Sequence, residues 1–209
     1  MKQKKKSLFS LLLALMMVAG LMQGMTVETK AATNSVQVGP FTLSRDSGTI
    51  VEGVDYTYVK YGSGNRNSLT ILTDDITIAM DENAEPTSDI IELGEFNNPP
   101  LDSFSKVTFS NLKMKSYYNN IYSNVDHIHI TLVGSNELVS IKRDSETYGS
   151  FAIFGHGSVS IENSPNGSLY ATADGLGWGA ISVSEGYGKS DACITVGDAM
   201  SMKSSTAMM

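Results

Sequence analysis

Short runs in which apolar residues alternate with small or polar ones recur along the chain from residue 68 onwards. Alternation with a period of two puts the apolar side chains on one face of an extended segment, which is the pattern of a half-buried β-strand. Clusters of Gly, Asn, Asp and Ser lie between the runs and favour turns. No convincing helical pattern follows the N-terminal segment. The runs predict strands at 68–72, 76–80, 107–109, 128–132, 159–161 and 194–196.

These strands belong to a longer unit that recurs four times. Each copy, or rung, has a strand, a polar corner, a second strand, a loop and a short third strand. The third strands are expected at 90–93, 120–122, 151–154 and 180–183. Repeat periods of about 20–50 residues are typical of solenoids. The offsets between rungs are 31, 23, 29 and 35 residues, measured from Ile76 to Val107, Phe109 to Leu132, Ile130 to Val159 and Val159 to Ile194.

Three strands per rung predict the fold class. We expect an all-β, right-handed parallel β-helix, that is, a three-faced solenoid of about four to five rungs. The inward Val, Ile, Leu, Phe and Ala side chains of successive rungs would then stack along its axis. An antiparallel β-sandwich is the alternative, because it is also rich in short strands. A sandwich does not require a three-strand repeat, so the sequence favours the solenoid.

The N-terminus has the parts of a secretory signal peptide. A basic start is followed by an uncharged apolar stretch at 8–22 and by small residues for cleavage at 29–31. The apolar stretch is short for a membrane span of about 20 residues, so we expect residues 1–31 to be removed and the mature protein to be secreted or on the cell surface, with no stable membrane span. Residues 32–66 would form a short N-terminal β cap with the first strands. Residues 67–209 would form the β-helix, incomplete at its C-terminal end because no polar cap follows the last copy.

The chain is acidic, with a formal net charge of −7 from 15 basic and 22 acidic residues. Loss of the signal peptide would remove lysines above all and make the mature chain more acidic. Nucleic acids are bound by neutralising their phosphates with Lys and Arg, so this charge argues against a nucleic-acid partner. Cys193 is the single cysteine, which excludes an intrachain disulfide and a cysteine-based zinc site.

Several stretches resemble a group of Gram-positive surface β-helix proteins described as carbohydrate-binding-domain-containing. That group is similar to the calcium-dependent, pectin-binding parallel β-helix proteins of plant-degrading bacteria. The resemblance implies a parallel β-helix that binds glycans. Family members carry more glycine-rich rungs, whereas Trp178 interrupts the equivalent segment here. The resemblance is carried by DSGTIVEGVDYTY (46–58), SLTILT (68–73), ITLVGSNELVS (130–140), GSVSIENSPNGSLYATA (157–173) and GLGWGAI (175–181).

An acidic segment offers candidate calcium ligands. It contains no Lys or Arg between Asn67 and Ser105. Calcium takes six to eight oxygen ligands and relieves repulsion between carboxylates, so Asp75, Asp81 and Asn83 are the predicted metal ligands. The alternative is a solvated acidic loop that keeps the protein soluble. A calcium ion would also allow an acidic protein to hold an anionic polyuronate.

Aromatic residues are the candidate carbohydrate contacts, because sugar C–H faces pack on aromatic rings. The alternative is that each ring covers apolar surface of the solenoid. A pair of histidines, His127 and His129, would share one outward face, with His156 nearby; exposed surface histidines are preferred over a metal site. The predicted carbohydrate-binding residues are Tyr117, Tyr118, Tyr122, Tyr148 and Trp178.

Catalysis finds little support in the sequence. Residues 142–144 are the one basic–acidic grouping that a β-helix polysaccharide lyase could use, and no nucleophile motif or phosphate-binding loop is present. We therefore expect a non-catalytic module that binds polysaccharide or cell-wall glycan, with calcium assistance left open, as a monomer or part of a longer chain. Two alternatives are kept: a structural or adhesin spacer within a larger surface protein, and a polysaccharide lyase.

Overall fold

The computed structural model describes residues 34–62, 67–95, 104–142, 150–174, 180–184 and 194–196. All of these residues belong to one compact unit, Thr33–Met209. Within the described ranges the chain forms sixteen strands and no helix, and the strands make three sheets. The expectation of an all-β protein is therefore confirmed.

The strands are numbered in chain order and grouped by sheet. The first sheet holds, in spatial order, β1 (Ser35–Val38), β2 (Phe41–Ser44), β5 (Ile76–Ala79), β7 (Phe104–Ser110), β10 (His127–Val133), β13 (Ser158–Asn163) and β16 (Ile194–Val196). The second sheet holds β3 (Tyr56–Lys60), β4 (Asn67–Ile71), β6 (Ile90–Leu93), β9 (Ile121–Ser123), β12 (Ile153–His156) and β15 (Ile181–Ser184). The third sheet holds β8 (Lys113–Ser116), β11 (Ser135–Ser140) and β14 (Ser168–Ala173).

The chain visits the three sheets in a fixed cycle. Strands β7, β8 and β9 enter the first, third and second sheets, and β10–β12 and β13–β15 repeat this order. Every pairing between successive rungs is parallel. Strands that are neighbours in sequence thus lie in different sheets, and neighbours within a sheet are a full rung apart. This arrangement is that of a β-solenoid, and the described strands do not form the antiparallel sandwich considered as the alternative.

Antiparallel pairing is confined to the N-terminal strands. The β1–β2 hairpin adds to β5, and β3 adds to β4. The buried carboxylate of Asp89 links β3 and β4 to the residues before β6 through two hydrogen bonds. Its Oδ2 accepts one from Tyr58 Oη at 2.7 Å, and its Oδ1 accepts one from Asn67 Nδ2 at 2.8 Å. Burial, and then the bond to Asp89, raise the pKa of Tyr58. The antiparallel strands cover a sheet edge that would otherwise expose unpaired backbone groups.

Apolar side chains of equivalent positions stack from rung to rung in the interior. Because side chains alternate along a strand, every second residue points inward, and the parallel register puts each over its equivalent in the next rung. The burial of these side chains from water supplies the main favourable free energy of folding. In the second sheet the buried column is Leu69, Ile91, Ile121, Ile153 and Ile181. In the first sheet it includes Ile76, Val107, Ile130 and Ile161.

One predicted offset is wrong. The 29-residue offset pairs Ile130 with Val159, but Ile130 lies beside Ile161 and Val159 lies beside Ile128, which makes the offset 31 residues. A slip of two residues keeps every apolar side chain facing inward, so the alternation alone does not distinguish the two registers. The other offsets, of 31, 23 and 35 residues, are confirmed by the pairings.

A buried asparagine joins consecutive rungs at the corner between the first and third sheets. Asn136 is 1% exposed. Its Oδ1 accepts a hydrogen bond from the Leu112 backbone N–H of the preceding rung at 3.0 Å. Its Nδ2 donates to the backbone carbonyls of Val133 at 3.1 Å and Ser168 at 3.2 Å, the latter in the following rung. One side chain therefore satisfies backbone groups of three rungs, which would be costly to leave unpaired in the interior.

Replacement of this residue, Asn136→Ala, should lower the free energy of unfolding by about 3 kcal/mol, because three hydrogen bonds are lost and buried backbone groups become unpaired. The matched control is Asn166→Ala, at an exposed turn position before β14, which should change stability by less than about 0.5 kcal/mol. Urea unfolding followed by circular dichroism measures both. Equal effects of the two substitutions would contradict the role given to Asn136.

Candidate functional site

An open groove of about 340 Å³ lies against the outer face of the second sheet. This volume is within the range of about 300–1,000 Å³ that is usual for small-molecule sites. The groove combines two aromatic rings, one carboxylate and three neutral polar side chains. Its described lining residues are Ile90, Glu92, Tyr118, Asn119, Tyr122, Asn124 and Ser150.

The parallel register of the second sheet brings part of this lining together. Glu92 in β6 is the direct neighbour of Tyr122 in β9, and Tyr122 is the neighbour of Phe154 in β12. All three alternate with buried isoleucines or leucine on their strands and are half-exposed. Three successive rungs therefore present a carboxylate, a phenol and a phenyl ring in one outward row.

The rings of this row are packed against one another. Tyr122 and Phe154 are stacked, with ring centroids 5.5 Å apart and planes 25° apart. Phe151 also stacks on Phe154, with ring centroids 5.2 Å apart and planes 26° apart. Offset stacking at these distances is favourable for aromatic pairs. The Tyr122 ring is thus held in place by its neighbours.

His156 holds the hydroxyl end of Tyr122. Its Nε2 is 2.7 Å from Tyr122 Oη and its Nδ1 is 2.9 Å from Ser184 Oγ, and both hydroxyls can donate or accept. The imidazole also stands edge-on to Phe154 at 5.2 Å and 87°. Burial lowers the pKa of His156 below its ordinary value of 6.5, so the ring is neutral at neutral pH. The neutral imidazole between the hydroxyls of Tyr122 and Ser184 therefore holds the Tyr122 side chain in place and adds no positive charge beside the groove.

The β8–β9 loop supplies another part of the lining, and its conformation is stabilised by hydrogen bonds to buried polar groups. Ser116 Oγ donates to the Tyr118 carbonyl at 2.7 Å and accepts from Asn120 Nδ2 at 3.3 Å. Ser116 is 2% exposed and Asn120 is fully buried. The Phe151 backbone N–H donates to Asn119 Oδ1 at 2.8 Å, which links the loop to the next rung. Tyr118 and Asn119 are therefore presented by an ordered loop.

The predicted carbohydrate-binding residues have different positions. Tyr118 and Tyr122 line the same groove, as expected for aromatic sugar contacts. Tyr117 is 48% exposed and is not among the lining residues, although its backbone carbonyl accepts a hydrogen bond from Ser150 Oγ at 3.0 Å. Tyr148 and Trp178 lie outside the described residues.

The polar members of the groove are not marked by residue type alone. Glu92 is one of several carboxylates in the acidic segment between Asn67 and Ser105, and no motif includes Asn119, Asn124 or Ser150. A signal for Glu92 is present in the repeat: aligning the buried isoleucines of the third strands puts Glu92 at the position of Tyr122. The other three lie in loops or at strand ends, where no repeat pattern marks them.

The predicted calcium ligands do not converge. Asp75 precedes β5, whereas Asp81 and Asn83 follow it, and a four-residue strand spans about 13 Å. Asp81 Oδ1 accepts a hydrogen bond from the Asn83 backbone N–H at 2.8 Å, an ordinary turn contact. Asp75 is therefore too far from the other two to share one ion with them. In the part of the chain that the structure describes, no group of three or more His, Cys, Asp or Glu side chains could hold a metal ion.

The three histidines lie on two different sheets. His127 contacts Ser158 Oγ, and His129 Nε2 is 3.3 Å from Glu162 Oε2, both on the first sheet. His156 belongs to β12 of the second sheet, whereas His127 and His129 belong to β10 of the first. The 27-residue spacing resembled one rung, but it leads from the first strand of a rung to its third.

Comparison with known proteins gives no match: no family model, no curated protein and no solved structure is similar to the chain. Among the described residues, no helix is long and apolar enough to cross a membrane. The chemistry of the groove is therefore the main guide to function.

The stability of the protein should fall as the pH is lowered through 6.5, in part because of His156. The unfolded chain binds a proton there with the ordinary pKa of 6.5, whereas burial lowers the pKa in the folded state. At pH values between the folded-state pKa and the unfolded-state pKa of His156, the unfolded state binds more protons than the folded state. The stabilisation contributed by neutral His156 is therefore complete above pH 6.5 and is lost as the pH falls through the folded-state pKa.

The measurement is urea unfolding of the wild type and of His156→Gln between about pH 5 and pH 8. His127 and His129 are present in both proteins, so the comparison isolates His156. The variant should show a shallower decline at acid pH. The same decline in both proteins would contradict the contribution assigned to His156.

Proposed function

We propose that the protein is a secreted or cell-surface module that binds a polysaccharide or cell-wall glycan in the groove on the second sheet, without cleaving it. The observation that carries this proposal is the position of Tyr118 and Tyr122 in one groove together with amide, hydroxyl and carboxylate groups. Sugar rings have apolar C–H faces that pack on aromatic rings. Their hydroxyl edges require hydrogen-bonding partners such as Asn119 and Asn124.

Preorganisation of the groove supports a binding role. Ordering one flexible side chain on binding costs about 0.5–1.5 kcal/mol. Tyr122 is already held by stacking on Phe154 and by its contact with His156, and the Tyr118 loop is held by Ser116. The binding of a ligand therefore requires little further ordering of the Tyr118 and Tyr122 side chains.

The solenoid is, in this proposal, a right-handed parallel β-helix of the Gram-positive surface group that the sequence resembles. Crossovers between parallel strands of one sheet are right-handed in about 98% of cases. The cycle through the first, third and second sheets supplies such crossovers at every rung. The predicted signal peptide at 1–31 would export the chain to the compartment where cell-wall and plant polysaccharides occur.

A rigid spacer within a larger surface protein is the second candidate. The stack of rungs favours it, because each rung contacts only its neighbours and such stacks form elongated rods. A polysaccharide lyase has less support: the lyase chemistry expected from the sequence uses an Arg or Lys base, and the described groove lining has neither. Glycosidase chemistry requires a pair of carboxylates, and Glu92 is the single carboxylate among those lining residues.

The test is a glycan-array screen of the mature protein, followed by titration with the best ligand. Tyr122→Ala and Tyr118→Ala should each weaken binding about tenfold or more, as expected for aromatic residues central to a site. Tyr170→Ala is the matched control, because Tyr170 is 53% exposed on β14 of the third sheet. It should bind as the wild type does. Absence of binding to every glycan, or an equal loss in all three variants, would overturn the proposal.

The same screen is run with and without a calcium chelator. Loss of binding in the chelator would support a calcium bridge between the acidic protein and its ligand. Unchanged binding would show that the groove binds the glycan by direct contacts. Thermal unfolding of each variant is the folding control, because Tyr122 also packs on Phe154.

A further inference from the structure

The carboxylate in the groove suggests the charge of the ligand. Glu92 is the one charged side chain among the described lining residues, and it is half-buried. Among the residues that the structure describes, its carboxylate has no hydrogen bond and no ion pair. A half-exposed carboxylate without a partner can accept the charge-assisted hydrogen bonds of a cationic ligand.

The surroundings of Glu92 strengthen this preference. Its neighbours in the sheet are Thr70 and Tyr122, neither of which carries positive charge. The chain contains no Lys or Arg between Asn67 and Ser105 and is acidic as a whole. An anionic ligand such as a uronic acid would therefore meet the groove with like charge. Electrostatic complementarity of this kind selects between ligands of similar shape.

The aromatic rings also favour a cation. An ammonium group within about 6 Å of a tyrosine ring is attracted by the negative face of the ring. Tyr118 and Tyr122 line the same groove as Glu92, so one ammonium group can approach a ring and the carboxylate together. A bare metal ion is a poorer occupant, because calcium requires six to eight oxygen ligands.

We propose that the groove binds a glycan unit that carries a free amino group, that is, a hexosamine without its acetyl group. Glu92 pairs with the ammonium group, the tyrosines pack on the ring, and Asn119, Asn124 and Ser150 bond the hydroxyls. This proposal rests on the glycan-binding function proposed above and adds the class of sugar. It also departs from the pectin-like ligands that the sequence resemblance implies.

The experiment is calorimetric titration of the full mature chain with three oligomers of equal length. They are a glucosamine hexamer, an N-acetylglucosamine hexamer and a galacturonate hexamer, at a pH where the amino groups are protonated. The glucosamine oligomer should bind about tenfold or more tightly than the acetylated one, the fold-change expected for one hydrogen bond to a charged group. The galacturonate oligomer should bind weakest. Added salt should weaken glucosamine binding most.

Substitution of the carboxylate, Glu92→Gln, should bring the affinities for the glucosamine and acetylated oligomers together. The matched control is Glu137→Gln, which removes the same charge from an exposed position on the third sheet and should keep the wild-type preference. Glu137→Gln distinguishes a specific pair from general attraction of a polycation to an acidic protein. If both substitutions weaken glucosamine binding equally, the inference is overturned. If Glu92→Gln does not fold, Glu92→Asp takes its place, because it keeps the charge and shortens the side chain. It should weaken binding of the glucosamine oligomer and leave binding of the acetylated oligomer unchanged, and no change in either would overturn the inference.

The outcomes separate this inference from the function on which it rests. Binding of the acetylated oligomer as tightly as glucosamine, with loss in Tyr122→Ala, would overturn the amino-sugar proposal and leave glycan binding intact. Tightest binding of galacturonate would do the same. Failure of all three oligomers and of every glycan on the array would overturn both.

Discussion

The fold depends on the in-register stacking of like side chains between parallel rungs. Each rung buries little apolar surface alone, and its inward residues are covered only when the next rung lies directly on it. The column from Leu69 through Ile91 and Ile121 to Ile153 shows this dependence, since each member is at most 1% exposed. The same register also determines which side chains are neighbours on the outer face of the second sheet. Because the isoleucines are stacked inside, Glu92, Tyr122 and Phe154 form one row outside, so the groove is a direct consequence of the packing of the core.

Polar groups make this stacking specific and the groove ordered. An apolar column alone permits slips of two residues, because the inward pattern is unchanged. Corner side chains such as Asn136 do not permit them, because their hydrogen bonds reach particular backbone groups in the rungs on both sides. On the second sheet the contact between Tyr122 and His156 has a similar role for the groove. Ligand binding in such a site requires little rearrangement of its side chains.

Much of the fold is encoded locally and could be predicted, whereas the site depends on register. Alternation marks the strands, and the three-strand repeat marks the sheets, because both are visible within about 30 residues. The predicted offset between Ile130 and Val159 is wrong because a slip of two residues leaves the same apolar side chains facing inward. Asp75 and Asp81 are close in sequence but flank β5 at its two ends, so spacing along the chain alone does not show which candidate ligands lie together. Tyr118 and Tyr122 could be selected by residue type, but Glu92 gains its significance only from the strand beside it.

The parallel register can be measured most directly by disulfide cross-linking in a Cys193→Ser background. Lys115 and Val139 are register partners in adjacent strands of the third sheet, which are about 4.8 Å apart, within the reach of a disulfide. The variant with cysteines at both positions should cross-link readily under mild oxidation. The variant with cysteines at Lys113 and Val139, displaced by two residues along the strand, should cross-link poorly. Equal cross-linking of both pairs, or preference for the displaced pair, would contradict the stacked register on which the core and the groove depend.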